Sequence, residues 1–483
     1  MEIQCFDAHF KKRQPQEALP GLLWRLGDSF QQAVHSAVLA CTSLDALREA
    51  AEHLHAEFLE PRMHCSTPDA LTIPYAAVTR LHEVILERLV FQARAHIKKS
   101  ISAFTPMDQD LDYPACLLPA AALGVQHAEK HVPRGSTVYH RGWFPTVDLT
   151  LGVLAKTYRA LEAPIFEGLA SEAIAACVGS LKQASEELAS RALPDPTHPL
   201  AAAVQVMDAR LFLIKQLLIL REQVASFECD AATGRRQPAS ASGSSLLRRS
   251  PLLKPLEALI LSHQAPKQRE QKLGASRTER NAVIEFELRA ACEALCVDLV
   301  ARITLPLAVI SAAPLDRLKE AVESFCTKLQ TWVPLAAALM RVYLTAVTGS
   351  VPAGNAAANS NEGGSAEHIV AILFKPVQKH LLEKWRHWLE EGGAPRQEAA
   401  AALDMRGESE VVELISSLLG RAMAASWTQL AGTALQVPRS KPRLDSSHGQ
   451  LQVKSNSSGF IPSSEEPARS AGKDAAMMDP TIL

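Results

Sequence analysis

The sequence lacks the short motifs that mark common catalytic sites. It has no glycine-rich phosphate loop, no nucleophile elbow and no histidine or cysteine group with zinc-site spacing. Nothing in the residues themselves argues for catalysis. We therefore predict a non-enzymatic protein with no catalytic residues, no cofactor and no metal site.

The chain also has almost no net charge, since 50 lysines and arginines face 52 aspartates and glutamates. This balance gives no general attraction to nucleic acid or to an anionic membrane. The nine cysteines show no paired spacing, which is typical of reduced thiols in the cytosol. The first residues lack the apolar core of a signal peptide. We expect a cytosolic protein that meets membranes through partners and binds no nucleic acid.

The most apolar stretch of the chain is not predicted to span a membrane. The most apolar stretch, 207–227, is split by Lys215 and Gln216, whereas a span needs about 20 nearly uninterrupted apolar residues. Its large side chains need neighbours on nearly every side. We interpret it as the central helix of a bundle.

The polar residues of this central helix fall in one narrow stripe, formed by Asp208, Lys215 and Glu222 at about 100° per residue. We expect Lys215→Leu to be tolerated because Lys215 lies in the stripe. Leu218→Asp should instead unfold the bundle.

The rest of the chain shows helical periodicity and no convincing period of two. Apolar residues recur in steps of three and four, which predicts helices over 23–41, 44–58, 78–89, 147–161, 166–188, 284–299, 315–332, 377–388 and 411–427. Pro164 should separate two of these helices, and Pro376 suits a first helical turn. Short connections favour antiparallel hairpins. The predicted fold class is all-α.

Composition suggests where the chain divides. A low-complexity insertion covers about 230–280, a second flexible loop covers 348–366, and a disordered tail begins near 437. We predict an N-terminal helical bundle region, a central bundle with the insertion, a C-terminal helical region and the tail, with bounds 1–200, 201–345, 346–436 and 437–483.

Three aspartates, Asp108, Asp110 and Asp112, resemble the start of a calcium loop. That loop needs glycine at its sixth position and glutamate at its twelfth. Tyr113 and Pro119 stand there instead. A structural turn is the favoured interpretation.

Two pairs of residues have one-turn helical spacing. His127 and His131 could share a metal, but Ala128 replaces the glutamate of the zinc-protease motif and no third ligand is evident. We favour solvated histidines. Cys292 and Cys296 have no partner pair in sequence, and we favour small core residues.

Four arginines, Arg235, Arg236, Arg248 and Arg249, lie in the low-complexity insertion. A solvated linker is the favoured interpretation. Weak attraction to an anionic lipid surface or an acidic partner is the alternative.

Several short strings of residues indicate a protein family as well as a fold class. RGWFPTV, IFEGLASEAI, DARLFLIKQLLILREQV and ILFKPV, together with ERLVF and DLDYP, resemble the third subunit of the conserved oligomeric Golgi complex. They occupy 141–147, 165–174, 208–224, 372–377, 87–91 and 110–114. The resemblance is collinear from about 80 to 390, and the string at 208–224 is the specific one.

This resemblance implies an elongated array of antiparallel helical bundles of the multisubunit tethering-complex type. It implies a peripheral protein on the cytosolic face of Golgi membranes, with a cytosolic pool, that captures retrograde intra-Golgi vesicles. The implied partners are the other subunits of the complex, membrane-fusion (SNARE) proteins and small GTPases. The family offers no catalytic residue to carry over.

The chain departs from the family pattern in two places. It begins partway through the pattern, so we expect the N-terminal coiled-coil region to be absent, and the 230–280 insertion follows the family poorly. Two other functions stay open. One is a generic α-helical adaptor in another trafficking complex, and the other is an unrecognised all-α enzyme with convergent polar groups in a pocket.

Overall fold

The computed structural model describes residues 18–59, 72–117, 142–191, 199–233, 275–308, 314–345, 363–405, 407–425 and 429. All of them belong to one compact unit, Met1–Pro442. The regular elements in these ranges are helical, which confirms the all-α prediction. The α-helices are α1 (Ala18–Ala40), α2 (Leu44–Leu54), α3 (Thr72–His96), α4 (Pro145–Thr157), α5 (Ala163–Ser190), α6 (Pro199–Thr233), α7 (Ala275–Ala308), α8 (Leu315–Thr345), α9 (Gly363–Ala401) and α10 (Glu408–Ala424). Short π-helical segments, His55–Leu59 and Ile97–Ser102, continue α2 and α3, and a 3₁₀ turn covers Ala115–Leu117.

Local sequence signals explain several of the helix boundaries. The Ser43 hydroxyl accepts a hydrogen bond from the Ala46 amide and caps α2. Both α4 and α5 carry a proline in the first turn, where the missing N–H costs nothing. Pro164 thus separates these two helices, as predicted.

The central position predicted for 207–227 is confirmed by the packing of α6. This helix contacts α4, α5, α7 and α8. Its buried apolar side chains include Leu211, Phe212, Leu217 and Leu220. Since fully burying one such side chain stabilises by roughly 1.5 to 3 kcal/mol, α6 depends on neighbours on most of its sides.

The helices after α6 form the other half of this core. Helix α8 packs against α7, α9 and α10. Phe325 of α8 stacks on Trp385 of α9 with ring centroids 5.1 Å apart, and Trp385 stacks on Trp388 at 5.3 Å. The Arg341 guanidinium donates to the last carbonyls of α10, which ties that helix end to α8.

Some predicted boundaries are wrong. Pro376 lies well inside α9, not in a first turn, because the helix already begins at Gly363 within the predicted loop 348–366. Buried Val370, Leu373 and Phe374 before the proline offset its missing hydrogen bond. A break at Gly393, with a φ of 57°, divides α9 near its end.

Other predictions concern ranges that the structure describes only in part or does not test. The predicted insertion 230–280 overlaps helical residues at both ends, since α6 runs to Thr233 and α7 starts at Ala275. Trp427 and the tail from 437 lie outside the described residues. The division into regions at 200/201 and 345/346 stays a prediction.

One described helix is long and apolar enough, by length and composition alone, to cross a membrane. It is α5, and half of its most apolar window is buried. The buried side chains include Leu169, Ile174 and Leu181, and the helix packs against α4, α6 and α7. This packing is that of a core helix.

Candidate functional site

We expected Lys215→Leu to be tolerated because Lys215 lies in a polar stripe. The structure contradicts that reason, since most of the stripe is buried. Of the stripe residues, Lys215 is fully buried and Asp208 is nearly so, whereas Glu222 is only half-buried. Gln216, next to the stripe, is also fully buried. Helical spacing showed that these residues share a region of α6. It could not show that another part of the chain covers it.

The cover is the segment before α4 together with the turn that follows α3. Gln216 accepts a hydrogen bond from the Phe144 amide at 3.1 Å and donates to the Gly142 carbonyl at 2.9 Å and to the Tyr113 hydroxyl at 3.0 Å. Lys215 also donates to the Gly142 carbonyl. We call Tyr113, Gly142, Phe144, Lys215 and Gln216 the α6 polar junction.

Glycine is required at position 142 of this junction. Its φ is +82°, in the region that favours glycine, and a Cβ there would lie 2.6 Å from Leu117 Cδ2. The close approach lets one carbonyl serve Lys215, Gln216 and Tyr113, whose hydroxyl donates to it at 3.3 Å. A side chain at 142 would push this carbonyl away from α6.

Aromatic rings pack around the junction, and burial shifts the pKa values of its titratable groups. The Tyr113 ring packs edge-on against Phe212 and stacks on Tyr343, whose hydroxyl donates to Asp208 at 3.2 Å. Burial lowers the pKa of Lys215 to about 8, opposed by the nearby Cys116 thiol, and raises the pKa of Tyr113 well above its usual value. Tyr113 thus stays neutral at physiological pH.

This arrangement supports a structural role. Each polar group of Gln216 has a partner, and the Lys215 ammonium points at a backbone carbonyl. A small pocket in the described part of the chain lies elsewhere, between α6 and α7. It is water-sized, and its Arg210 and Asp298 pair with each other at 2.6 Å. The junction fixes the turn after α3 and the start of α4 onto the central helix.

The predicted aspartate cluster does not converge on one point. Arg191 pairs with Asp108 at 2.9 Å and also donates to the Leu111 carbonyl at 3.2 Å. Asp110 accepts from the Met107 amide three residues earlier, as in a turn closed by its own side chain. Within the described ranges, no group of three or more His, Cys, Asp or Glu residues is placed to hold a metal. These contacts agree with the structural-turn interpretation.

The cysteine pair is confirmed as part of the core. Cys292 and Cys296 are buried in the inner side of α7, and burial raises the pKa of their thiols to about 12 and about 11. Such thiols stay protonated and behave as small apolar groups. His127 and His131 lie outside the described residues, as do the four arginines of the insertion.

The first helix carries an apolar face that is not buried. Helix α1 packs on α3 through Val34 and Val38. The residues of the α1 outer face are exposed: Leu22, Leu26, Phe30, Ala33 and Ala37. Leu26 and Phe30 expose 63% and 48% of their surface. The spacing from Leu23 to Cys41 predicted one helical face, and its residues Leu26, Phe30, Ala33 and Ala37 are the exposed ones. The described chain supplies no cover for them.

Comparison with known proteins supports the resemblance found in the sequence. Residues 1–237 match the family "Conserved oligomeric Golgi complex subunit 3, C-terminal". Most of the strings noted above fall inside this range, and so does the whole α6 polar junction. The match starts before the predicted limit near 80 and does not include the string at 372–377.

Curated relatives agree with this family match. The human protein named conserved oligomeric Golgi complex subunit 3 is 29% identical over 265 residues, covering 47% of this chain and 30% of the relative. The Drosophila melanogaster protein of that name is 30% identical over 224 residues, or 40% and 23% of the two chains. The Dictyostelium discoideum one is 36% identical over 159 residues, or 31% and 16%.

The chain thus spans less than a third of the length of these relatives. No solved structure matches it. The agreement between one family match and relatives of the same name from human, an insect and an amoeba is nevertheless specific. Residues 1–237 of this chain belong to the family of the C-terminal region of conserved oligomeric Golgi complex subunit 3.

Proposed function

We propose that this chain is a non-enzymatic subunit of a Golgi vesicle-tethering complex, in which its helices hold binding surfaces in place. The observation that carries the proposal is the family match over residues 1–237. The packing is consistent with it, because the helices on either side of α6 build one buried core around that helix. The junction at Lys215 and Gln216 serves that rigidity.

The α1 outer face is the surface through which we propose that the chain contacts a sister subunit. A row of Leu22, Leu26 and Phe30, continued by two alanines, has the i, i+4 spacing with which a helix accepts the apolar face of another helix. Apolar side chains on one helix face, left without cover, are typical of an interaction site. It also lies within the matched residues 1–237.

The wider role is the one that the family resemblance implies, and we propose it together with the subunit assignment. The chain would act on the cytosolic face of Golgi membranes, capturing retrograde vesicles with its sister subunits, SNARE proteins and small GTPases. Membrane contact would come through those partners. A generic adaptor in another trafficking complex is the second candidate, and its partners would distinguish it.

Affinity capture with two charge-matched variants tests this proposal. The first, Leu26→Glu with Phe30→Glu, places two carboxylates in the α1 outer face. The control, Gln32→Glu with His35→Glu, adds two carboxylates at exposed positions of the same helix away from that face. Tagged forms are recovered from cells, and bound proteins are identified by mass spectrometry.

We expect the unmodified chain and the control to recover other subunits of the Golgi complex, and the α1 variant to lose them. Both variants should keep the helicity of the parent, because all four positions are exposed. Recovery of subunits of a different trafficking complex would favour the adaptor. Equal recovery by both variants would refute the role of the α1 outer face.

A further inference from the structure

Two histidines from different helices face each other at the end of α2. His55 is the first residue of the π-helical segment that continues α2, and His82 lies on α3. Their ring centroids are 6.0 Å apart, and the ring planes are tilted by 47°. Both residues are half-buried. Neutral imidazole rings pack at this separation without repulsion, whereas two protonated rings would repel each other.

The folded chain disfavours protonation of His82. Burial lowers the pKa of His82 from 6.5, and His55 lowers it further, whereas Glu83 opposes these effects to a smaller extent. The unfolded chain takes up this proton more readily than the folded chain does. The contact therefore contributes its full stability above pH 6.5 and loses it as the pH falls below that value.

The acidic groups near the two rings do not cancel this repulsion. Those of α2 already have partners, in the ion pairs Arg48–Glu52 at 2.7 Å and His53–Glu57 at 3.6 Å. Glu83 is exposed, so solvent screens its attraction to His82. The C-terminal end of α2 favours a positive charge. One protonated ring is therefore tolerated, and the second proton meets the repulsion.

The neighbouring helices α1 and α4 carry their charges at other places. On α1, Asp28 accepts a hydrogen bond within its own helix at 3.2 Å, and His35 is exposed. On α4, Lys156 pairs at 2.8 Å with Asp45 in the first turn of α2. That turn is at the opposite end of α2 from His55. The histidine pair itself therefore dominates the response to acid at its end of α2.

The end of α2 is weakly held, so a modest repulsion is enough to displace it. The buried residues of α2 are Leu44, Leu47 and Ala51. The π-helical segment His55–Leu59 buries none of its residues. Little apolar burial is typical of segments that open locally at small cost. The start of α2 has a further contact, since Arg88 of α3 donates to the Cys41 carbonyl at 3.2 Å. Opening should begin at the His55 end.

We propose that His55 and His82 form a proton-sensitive switch that holds the end of α2 on α3 when the rings are neutral and releases it when both are protonated. Release would free the π-helical segment and the last turn of α2, while the start of α2 stays on α3. The rest of the core would keep its packing. This inference goes beyond the proposed tethering role and does not depend on it.

Hydrogen exchange of the full chain at pH 7.5 and pH 5.5, followed by mass spectrometry, tests the switch. Exchange protection is corrected for the pH dependence of intrinsic amide exchange, and peptides of α8, which contains no histidine, serve as the internal reference. Protection of peptides that cover 49–59 should fall at least about tenfold on acidification, relative to α8. His82→Gln should abolish this fall, because no second ring is left to take a proton. His55→Gln should reduce it, because burial of His82 remains.

His96→Gln is the matched control. His96 is another half-buried histidine of α3, and burial together with Lys156 lowers its pKa. Its charged neighbour Lys156 contacts the first turn of α2, at the opposite end from His55. The loss of protection in 49–59 should therefore be as large in His96→Gln as in the parent. Circular dichroism at pH 7.5 checks that every variant keeps the helicity of the parent.

Either of two results would overturn the proposal. One is a parent chain whose peptides from 49–59 are equally protected at both pH values, relative to α8. The other is an acid-induced loss of protection in His82→Gln that equals the loss in the parent, which would assign the response to other groups.

Discussion

Replacing Lys215 with methionine tests whether the buried ammonium destabilises the fold. Lys215 is fully buried, and burial lowers its pKa from 10.5 to about 8. The Gly142 carbonyl also accepts from Gln216 and Tyr113, so it keeps hydrogen bonds when the lysine is removed. Methionine has a similar unbranched shape and carries no charge. We therefore expect Lys215→Met to be neutral or stabilising at pH 7.

The expected size of the effect follows from proton linkage. The unfolded chain holds the lysine proton more tightly than the folded chain, so protonation favours unfolding. This destabilisation is fully present below pH 8 and fades as the pH rises from 8 to 10.5. It amounts to about 3 kcal/mol at pH 7 and about 1.5 kcal/mol at pH 9.5, at 1.36 kcal/mol per pKa unit. Loss of the lysine's own hydrogen bond offsets about 1 kcal/mol of the gain.

Urea denaturation followed by circular dichroism at pH 7 and pH 9.5 measures this effect. Between these pH values, the unfolding free energy of the parent should gain about 2 kcal/mol relative to that of Lys215→Met. Other titrating groups are common to both proteins and cancel in the comparison. Lys379→Met, at a side chain that is 60% exposed, controls for the loss of one positive charge. Identical pH dependence of parent and Lys215→Met would refute the reasoning.

Three further predictions concern the core. Leu218→Asp buries a carboxylate beside apolar neighbours and should cost at least about 3 kcal/mol, which thermal denaturation would show as loss of the cooperative transition. Gln216→Leu leaves the Phe144 amide without its acceptor and should cost about 1 to 3 kcal/mol in urea denaturation, and an unchanged midpoint would contradict the junction. Cys292 and Cys296 should resist iodoacetamide at pH 8 until the chain unfolds, because their pKa values are raised, and mass spectrometry of labelled peptides measures this.

Much of the helical fold could be predicted from the sequence because helix periodicity is a local property. The helix 207–227, its neighbour ending near 188 and the break at Pro164 all follow from spacing and proline chemistry. Helix ends were less predictable. At Pro376, buried residues on both sides carry the helix through a position that local rules assign to a first turn.

The α6 polar junction could not be predicted, because its contacts join residues far apart in the chain. Gln216 reaches Tyr113 and Phe144 across 103 and 72 residues. The available signal was the pair Lys215–Gln216 within an apolar helix, since polar residues in such a place need partners. Spacing alone showed a polar stripe. It did not show that the backbone at Gly142 covers that stripe.

Two features depart in opposite directions from the usual pattern of apolar residues inside and polar residues outside. Helix α6 buries polar groups, whereas α1 and α7 expose apolar ones. Burial of Lys215 is explained within the chain, because the Gly142 carbonyl compensates for part of its desolvation. Exposure of Phe30 and Phe286 has no such compensation in the described residues, and each forgoes roughly 1.5 to 3 kcal/mol of burial. Covering these side chains should therefore stabilise the folded chain by mass action. Replacing them with polar residues should leave the isolated monomer as stable as before, while removing the stabilisation that a partner supplies.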